Sequence, residues 1–171
     1  ASPYWQVASD SYTFMAVTHS SLSGMASEIG LIINAIDSTG AAYDTAETFT
    51  VSAGTTTRVF IVPTNHATVN STNITTAKFL AGTTDFTYGH IRVNPYASHP
   101  QLLVGECKTL VCINAIVGKG FRDITMLTYW GSVIIEAQTT GFAMEFVGDM
   151  NDSTGTTTAI AGYTTSGPNL Q

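Results

Sequence analysis

The residues of this chain with the widest chemical range are four histidines, twelve carboxylates and two cysteines. Their spacing limits what each can do. His19, His66, His90 and His99 stand far apart, with none two or four positions from another. Neutral imidazoles ligate zinc well, and a fold able to gather His66, His90 and His99 would make a site. Nothing in the spacing asks for one, so the expectation is no metal and no other cofactor. Cys107 and Cys112 enclose Lys-Thr-Leu-Val. Such a pair can close a disulfide across a tight turn where the compartment is oxidising, and a disulfide is expected over two free thiols.

Carboxylates offer two further constellations. Glu136 and Glu145 fall in neighbouring predicted strands joined by Thr139-Thr140-Gly141, where cross-strand neighbours can reach the roughly 5–9 Å spacing of glycoside hydrolysis. Solvent-facing positions on alternating strands are the simpler reading. The string Asp149-Met150-Asn151-Asp152-Ser153-Thr154-Gly155 sets oxygen ligands at alternate positions, as a calcium loop does. Its glycine falls one place late and Ile160 stands where the bidentate Glu belongs, so an Asx-rich turn is expected. No Gly-x-Ser-x-Gly elbow, P-loop, dinucleotide fingerprint or haem-attachment motif occurs. The expectation is a protein that is not an enzyme.

Aromatic and amide side chains suggest binding instead. Tyr4-Trp5 and Tyr129-Trp130 are candidate sugar-stacking platforms, because amphipathic rings suit such ligands. Tyr4, Trp5 and Val7 also precede a polar hinge, Ala8-Ser9-Asp10-Ser11. That layout suits a terminal strand added to a neighbouring subunit's open sheet edge, although a first strand paired within its own domain has the same pattern. Asn70, Asn73 and Asn151 each open an N-glycosylation sequon. A chain this rich in Ser and Thr yields about two such matches by chance, so the three are candidate modification sites and no more.

The elements that position these residues can be read from composition and periodicity. Charged residues make up 11% of the chain, under half the ~25% typical of soluble domains. The surface must therefore be covered largely by Thr, Ser, Gly and Asn. Little charge repulsion then keeps copies of the molecule apart. A net charge of −6 and six basic residues, scattered apart from Lys119 and Arg122, argue against a nucleic-acid partner. No run of about 18 apolar residues is present to span a membrane as a helix. The chain opens Ala1-Ser2-Pro3 without Met, as an exported protein does after signal removal, and a trimmed chain would open the same way.

Short runs rich in Val, Ile, Thr, Phe and Tyr alternate with Gly, Asn, Asp and Ser clusters, the pattern of many short strands. Strands are predicted near 3–8, 11–18, 28–36, 45–52, 55–62, 74–80, 85–93, 108–117, 122–129, 132–138, 141–148 and 157–162. Runs 59–62 and 133–135 are apolar on both faces and belong centrally. Ala53-Gly54-Thr55 and Ala81-Gly82-Thr83 read as turns in which glycine takes positive φ. The expected fold is all-β, a single-domain β-sandwich or jelly roll, with an N-terminal strand available for exchange between subunits. Its parts are an extended segment over 1–10, a sandwich over 11–150 and a Thr/Ser/Gly-rich segment over 151–171 packed on the domain or a neighbour.

These features favour a secreted structural protein at the cell surface that polymerises with itself into an extracellular filament or surface layer. Heterologous contacts that do not close generate such open assemblies. The alternative is a secreted carbohydrate-binding or adhesive module, with a glycan as its partner.

Overall fold

The computed structural model describes residues 3–21, 28–95, 127–136 and 141–149. Among them run nine strands and no helix: β1 (Tyr4–Val7), β2 (Ser11–Thr18), β3 (Glu28–Asp37), β4 (Glu47–Ser52), β5 (Thr56–Pro63), β6 (Lys78–Gly82), β7 (Thr87–Pro95), β8 (Thr128–Glu136) and β9 (Gly141–Asp149). They form two sheets, ordered β1-β7-β3-β4 and β6-β5-β2-β8-β9. The β5–β6 pair is parallel and the other pairs are antiparallel. The fold is thus an all-β sandwich. No described helix is long and apolar enough to cross a membrane.

Alternation builds the core. In β4, Phe49 and Val51 point inward and Thr48, Thr50 and Ser52 point out, the period-2 pattern of a half-buried strand. Leu31 and Ile33 of β3 meet Met15 and Val17 of β2 and Ile61 of β5 between the sheets, all of them buried. Each such side chain withdrawn from water is worth roughly 1.5–3 kcal/mol.

The run 59–62 is buried on both faces for a specific reason. Val59 and Ile61 enter the core between the sheets, while Phe60 and Val62 face the other way into a second apolar cluster. β5 accordingly lies between β6 and β2. On this outer face four aromatic rings cross four strands. Phe79 stacks on Phe60 at 5.4 Å, Phe60 lies 5.1 Å from Phe14, and Phe14 lies 5.0 Å from Trp130. Residues 64–77, which make the crossover that a parallel pair requires, lay Val69 and Ile74 against this cluster.

Two strand boundaries and one turn differ from the sequence pattern. Ile74-Thr75-Thr76 is β-branched and reads as a strand start, yet β6 begins at Lys78. The amide of Asn70 accepts from Thr72 N and Asn73 N, and Asn73 Nδ2 donates to Thr68 O. These side-chain bonds hold 68–73 as turns and override propensity. The pattern divides 122–129 from 132–138 at Gly131, but β8 runs unbroken through it, with Gly131 opposite Met15 of β2. Gly54 has the expected positive φ of 73°. Gly82 is needed for a different reason. It closes β6, and a Cβ there would lie 2.6 Å from the carbonyl oxygen of Tyr43.

Candidate functional site

β1 carries Tyr4, Trp5 and Val7, the residues expected to contact a neighbouring subunit. The structure seats Trp5 and Val7 in the chain's own core, both without exposed surface. Val7 pairs with Thr87 and Trp5 with Gly89 of β7. The Trp5 indole N–H is shared between Ile36 O at 2.9 Å and His90 O at 3.1 Å, and its ring lies 4.9 Å from that of Tyr43. The strand's other side is also occupied. Thr13 Oγ1 accepts from Gln6 N and donates to Gln6 O, each at 2.9 Å. β1 is therefore an edge strand closed by a side chain from the facing sheet.

Adjacent residues in a strand point to opposite faces, which rules out both dipeptide platforms. Trp5 points in while Tyr4 points out. Tyr129 packs on the core while Trp130 is half exposed on the far side of the sheet. The structure instead gives Tyr4 a ring partner from β7, which in turn meets a ring from the turn before it. The Tyr4 ring lies 6.2 Å from Tyr88, and Tyr88 lies 5.6 Å from Phe86. Tyr4 stands opposite His90, and Gln6 stands opposite Tyr88. The Tyr4 hydroxyl donates to Gln6 Oε1 at 2.9 Å. Burial and the neighbouring Tyr88 raise the Tyr4 phenol above its ordinary pKa. Sequence inspection missed this strip because it depends on the pairing of two strands about eighty residues apart.

Among the described residues the histidines are not gathered. His66 belongs to the 64–77 crossover and is buried against the outer face of one sheet, whereas His90 is exposed on β7 of the other. His66 Nδ1 accepts from Val69 N at 3.1 Å, so the neutral ring carries its proton on Nε2. That atom faces Glu136 Oε2 at 4.0 Å, and the Tyr12 ring meets the imidazole edge-on at 5.1 Å. Burial first, and then the Glu136 charge, raise the Tyr12 phenol. His19 is buried and its Nδ1 accepts from Ser21 N. No metal-ligating cluster exists among the described residues, and His99 lies outside them.

Glu136 and Glu145 share a face but are not close partners. Glu136 stands opposite Gly141 and Glu145 opposite Ser132. The four-residue offset along β8 separates them by about 13 Å at ~3.4 Å per residue, more than glycoside hydrolysis uses. The Asn70 and Asn73 amides brace the crossover from within: Asn70 Nδ2 donates to His66 O at 3.2 Å, and Asn73 Nδ2 donates to Thr68 O at 3.0 Å. Cys107, Cys112, Asn151, Asp152 and the 151–171 segment lie outside the described residues, and Asp149 closes β9.

The outer strands of the two sheets are β1, β4, β6 and β9. β6 is closed as β1 is: Asp44 Oδ2 accepts from Ala81 N at 2.7 Å, and the Tyr43 hydroxyl donates to Val62 O at 3.0 Å and Thr83 O at 2.8 Å. At the opposite end of that sheet, no described strand pairs with the far side of β9. There Ala143, Met144 and Glu145 are exposed, Met144 at 45%.

No family model, curated protein or solved structure matches the chain.

Proposed function

We propose that this chain is a structural subunit of an extracellular filament or surface layer, joined to copies of itself along β9. The observation that carries the reading is the contrast between β9 and two of the other sheet edges, β1 and β6. β1 and β6 have side chains from other elements bonded to their main chain. β9 presents an exposed apolar side chain and is the last of the described strands in its sheet. Exposed strand edges pair with other chains unless charge, proline or cover blocks them, and main-chain bonding along an added strand supplies direction and register. With charged residues at 11%, little repulsion opposes that approach. A contact between β9 and a different edge of the next copy is heterologous and grows without closing.

Light scattering and negative-stain imaging of the full chain and of Met144→Lys test this. The unmodified chain forms large ordered species, and the variant, with a cation set on the edge, stays near its monomer mass of 18.1 kDa. An unmodified chain that remains monomeric at high concentration, or a variant that assembles as before, overturns the reading.

A further inference from the structure

The geometry of β1 and β7 points to a second, separate surface: we infer that Tyr4, Tyr88 and Phe86, with Gln6 and His90 beside them, form a binding platform for a neutral saccharide. Tyr4, Tyr88 and Phe86 are 37%, 43% and 59% exposed, and they are in ring contact in that order. Contiguous exposed rings mark a contact site.

The size of the strip selects among occupants. Aromatic side chains carry about 150–250 Å² each, so three rings exposed to this degree offer on the order of 300 Å². A stable protein contact buries about 800 Å² per partner. Strand pairing cannot enlarge the patch at Gln6, because Thr13 already holds that residue's N–H and C=O. A second copy of the chain is thus a poor fit.

The polar groups select further. Gln6 Oε1 takes the Tyr4 hydroxyl, which fixes the amide and leaves its Nε2 as a donor without a partner among the described residues. The Tyr88 hydroxyl and the His90 ring stand on the same face as further hydrogen-bonding groups. An apolar ligand would bury these groups without hydrogen-bond partners, which is unfavourable. A sugar ring instead lays its C–H face on the aromatics and offers hydroxyls to the rim. Asp85, next to Phe86 in sequence and exposed, disfavours acidic glycans. The strip is longer than one aromatic ring, which suits a linear oligosaccharide over a single sugar.

Calorimetric titration of the full chain with neutral hexasaccharides of glucose, mannose, galactose, xylose and N-acetylglucosamine is the test, repeated on Tyr88→Ala and Phe86→Ala. Both positions are exposed, and unchanged circular dichroism and melting verify that the variants are folded. At least one hexasaccharide binds, and each variant weakens binding tenfold or more. Flat titrations across the set, or binding that both variants leave intact, overturn the platform. A variant that changes the assembly state while no sugar binds assigns the strip to self-contact and also overturns it. Because the β9 assembly is read from Met144→Lys, the two ideas fail independently.

Discussion

Thr13 Oγ1 makes two hydrogen bonds to one residue of the opposite sheet, accepting from Gln6 N and donating to Gln6 O. A buried hydroxyl thereby does what a neighbouring strand would do, satisfying the outward N–H and C=O of an edge. This single contact ties the corner between β1 and β2 and closes one end of the sandwich to added strands.

Thr13→Val keeps the shape and removes both bonds. Two main-chain groups at the corner lose their partner, each at roughly 1–3 kcal/mol where water cannot replace it. The variant should unfold at lower urea concentration with an unchanged m-value. It should also aggregate faster than the parent, because the β1 edge is then open.

Removing residues 1–8 should abolish cooperative unfolding. The truncation deletes Trp5 and Val7 from the centre of the core, and losing a buried tryptophan side chain alone costs roughly 3–5 kcal/mol. It also strips β7 of its edge partner. A sharp, two-state melt of the truncated chain at the parent's temperature would show that β1 is dispensable within one subunit. The N-terminal segment would then be free to serve a neighbour.

Asp37 gives the stability an acid limb. Its Oδ1 accepts from the Thr39 hydroxyl and from the N–H groups of Thr39 and Ala41. The Thr39 hydroxyl bond leads these causes, and together they hold the carboxyl below its ordinary value. A carboxylate whose folded pKa is depressed adds stability above the unfolded pKa, ~3.9 for Asp, and loses it as pH falls through the folded value. Asp37→Asn should therefore flatten the acid side of a stability-against-pH curve, with the two curves converging below that range. Parallel curves from pH 6 down to pH 2 would mean that the turn is indifferent to this charge.

What was legible in the sequence was local. The period-2 pattern places β2 at 11–18 and the apolar run 59–62 in an interior strand, because side-chain alternation and two-sided burial are properties of the strand itself. What was not legible needed partners. Tyr4 reads as half of a Tyr-Trp pair until the β1–β7 register puts Tyr88 beside it. Gly82 reads as a turn residue until Tyr43 packs on the same spot. Glu136 and Glu145 read as facing residues until the Glu136–Gly141 register sets them four residues apart along β8. In each case the deciding contact comes from a chain segment whose placement no nearby residue encodes.

Tyr43 provides the alkaline counterpart to Asp37. Burial pushes its phenol up to about 12, with the Asp44 charge acting in the same direction and a hydrogen bond near Gly82 opposing them. In the fold its hydroxyl donates to Val62 O and Thr83 O, so ionisation removes the proton that ties residues 41–46 to the end of β5 and the residue after β6. A group whose folded pKa exceeds its unfolded value, ~10 for tyrosine, adds stability that is complete below the unfolded pKa and is lost as pH rises through the folded one. Stability should thus decline between about pH 10 and pH 12, and difference absorbance of phenolate should show one tyrosine ionising with that decline. Tyr43→Phe should be less stable than the parent at pH 7, because two carbonyls lose their donor. It should also lose less stability across the alkaline window. An identical alkaline decline in Tyr43→Phe would assign the titration to another group and leave Tyr43 as a packing residue alone.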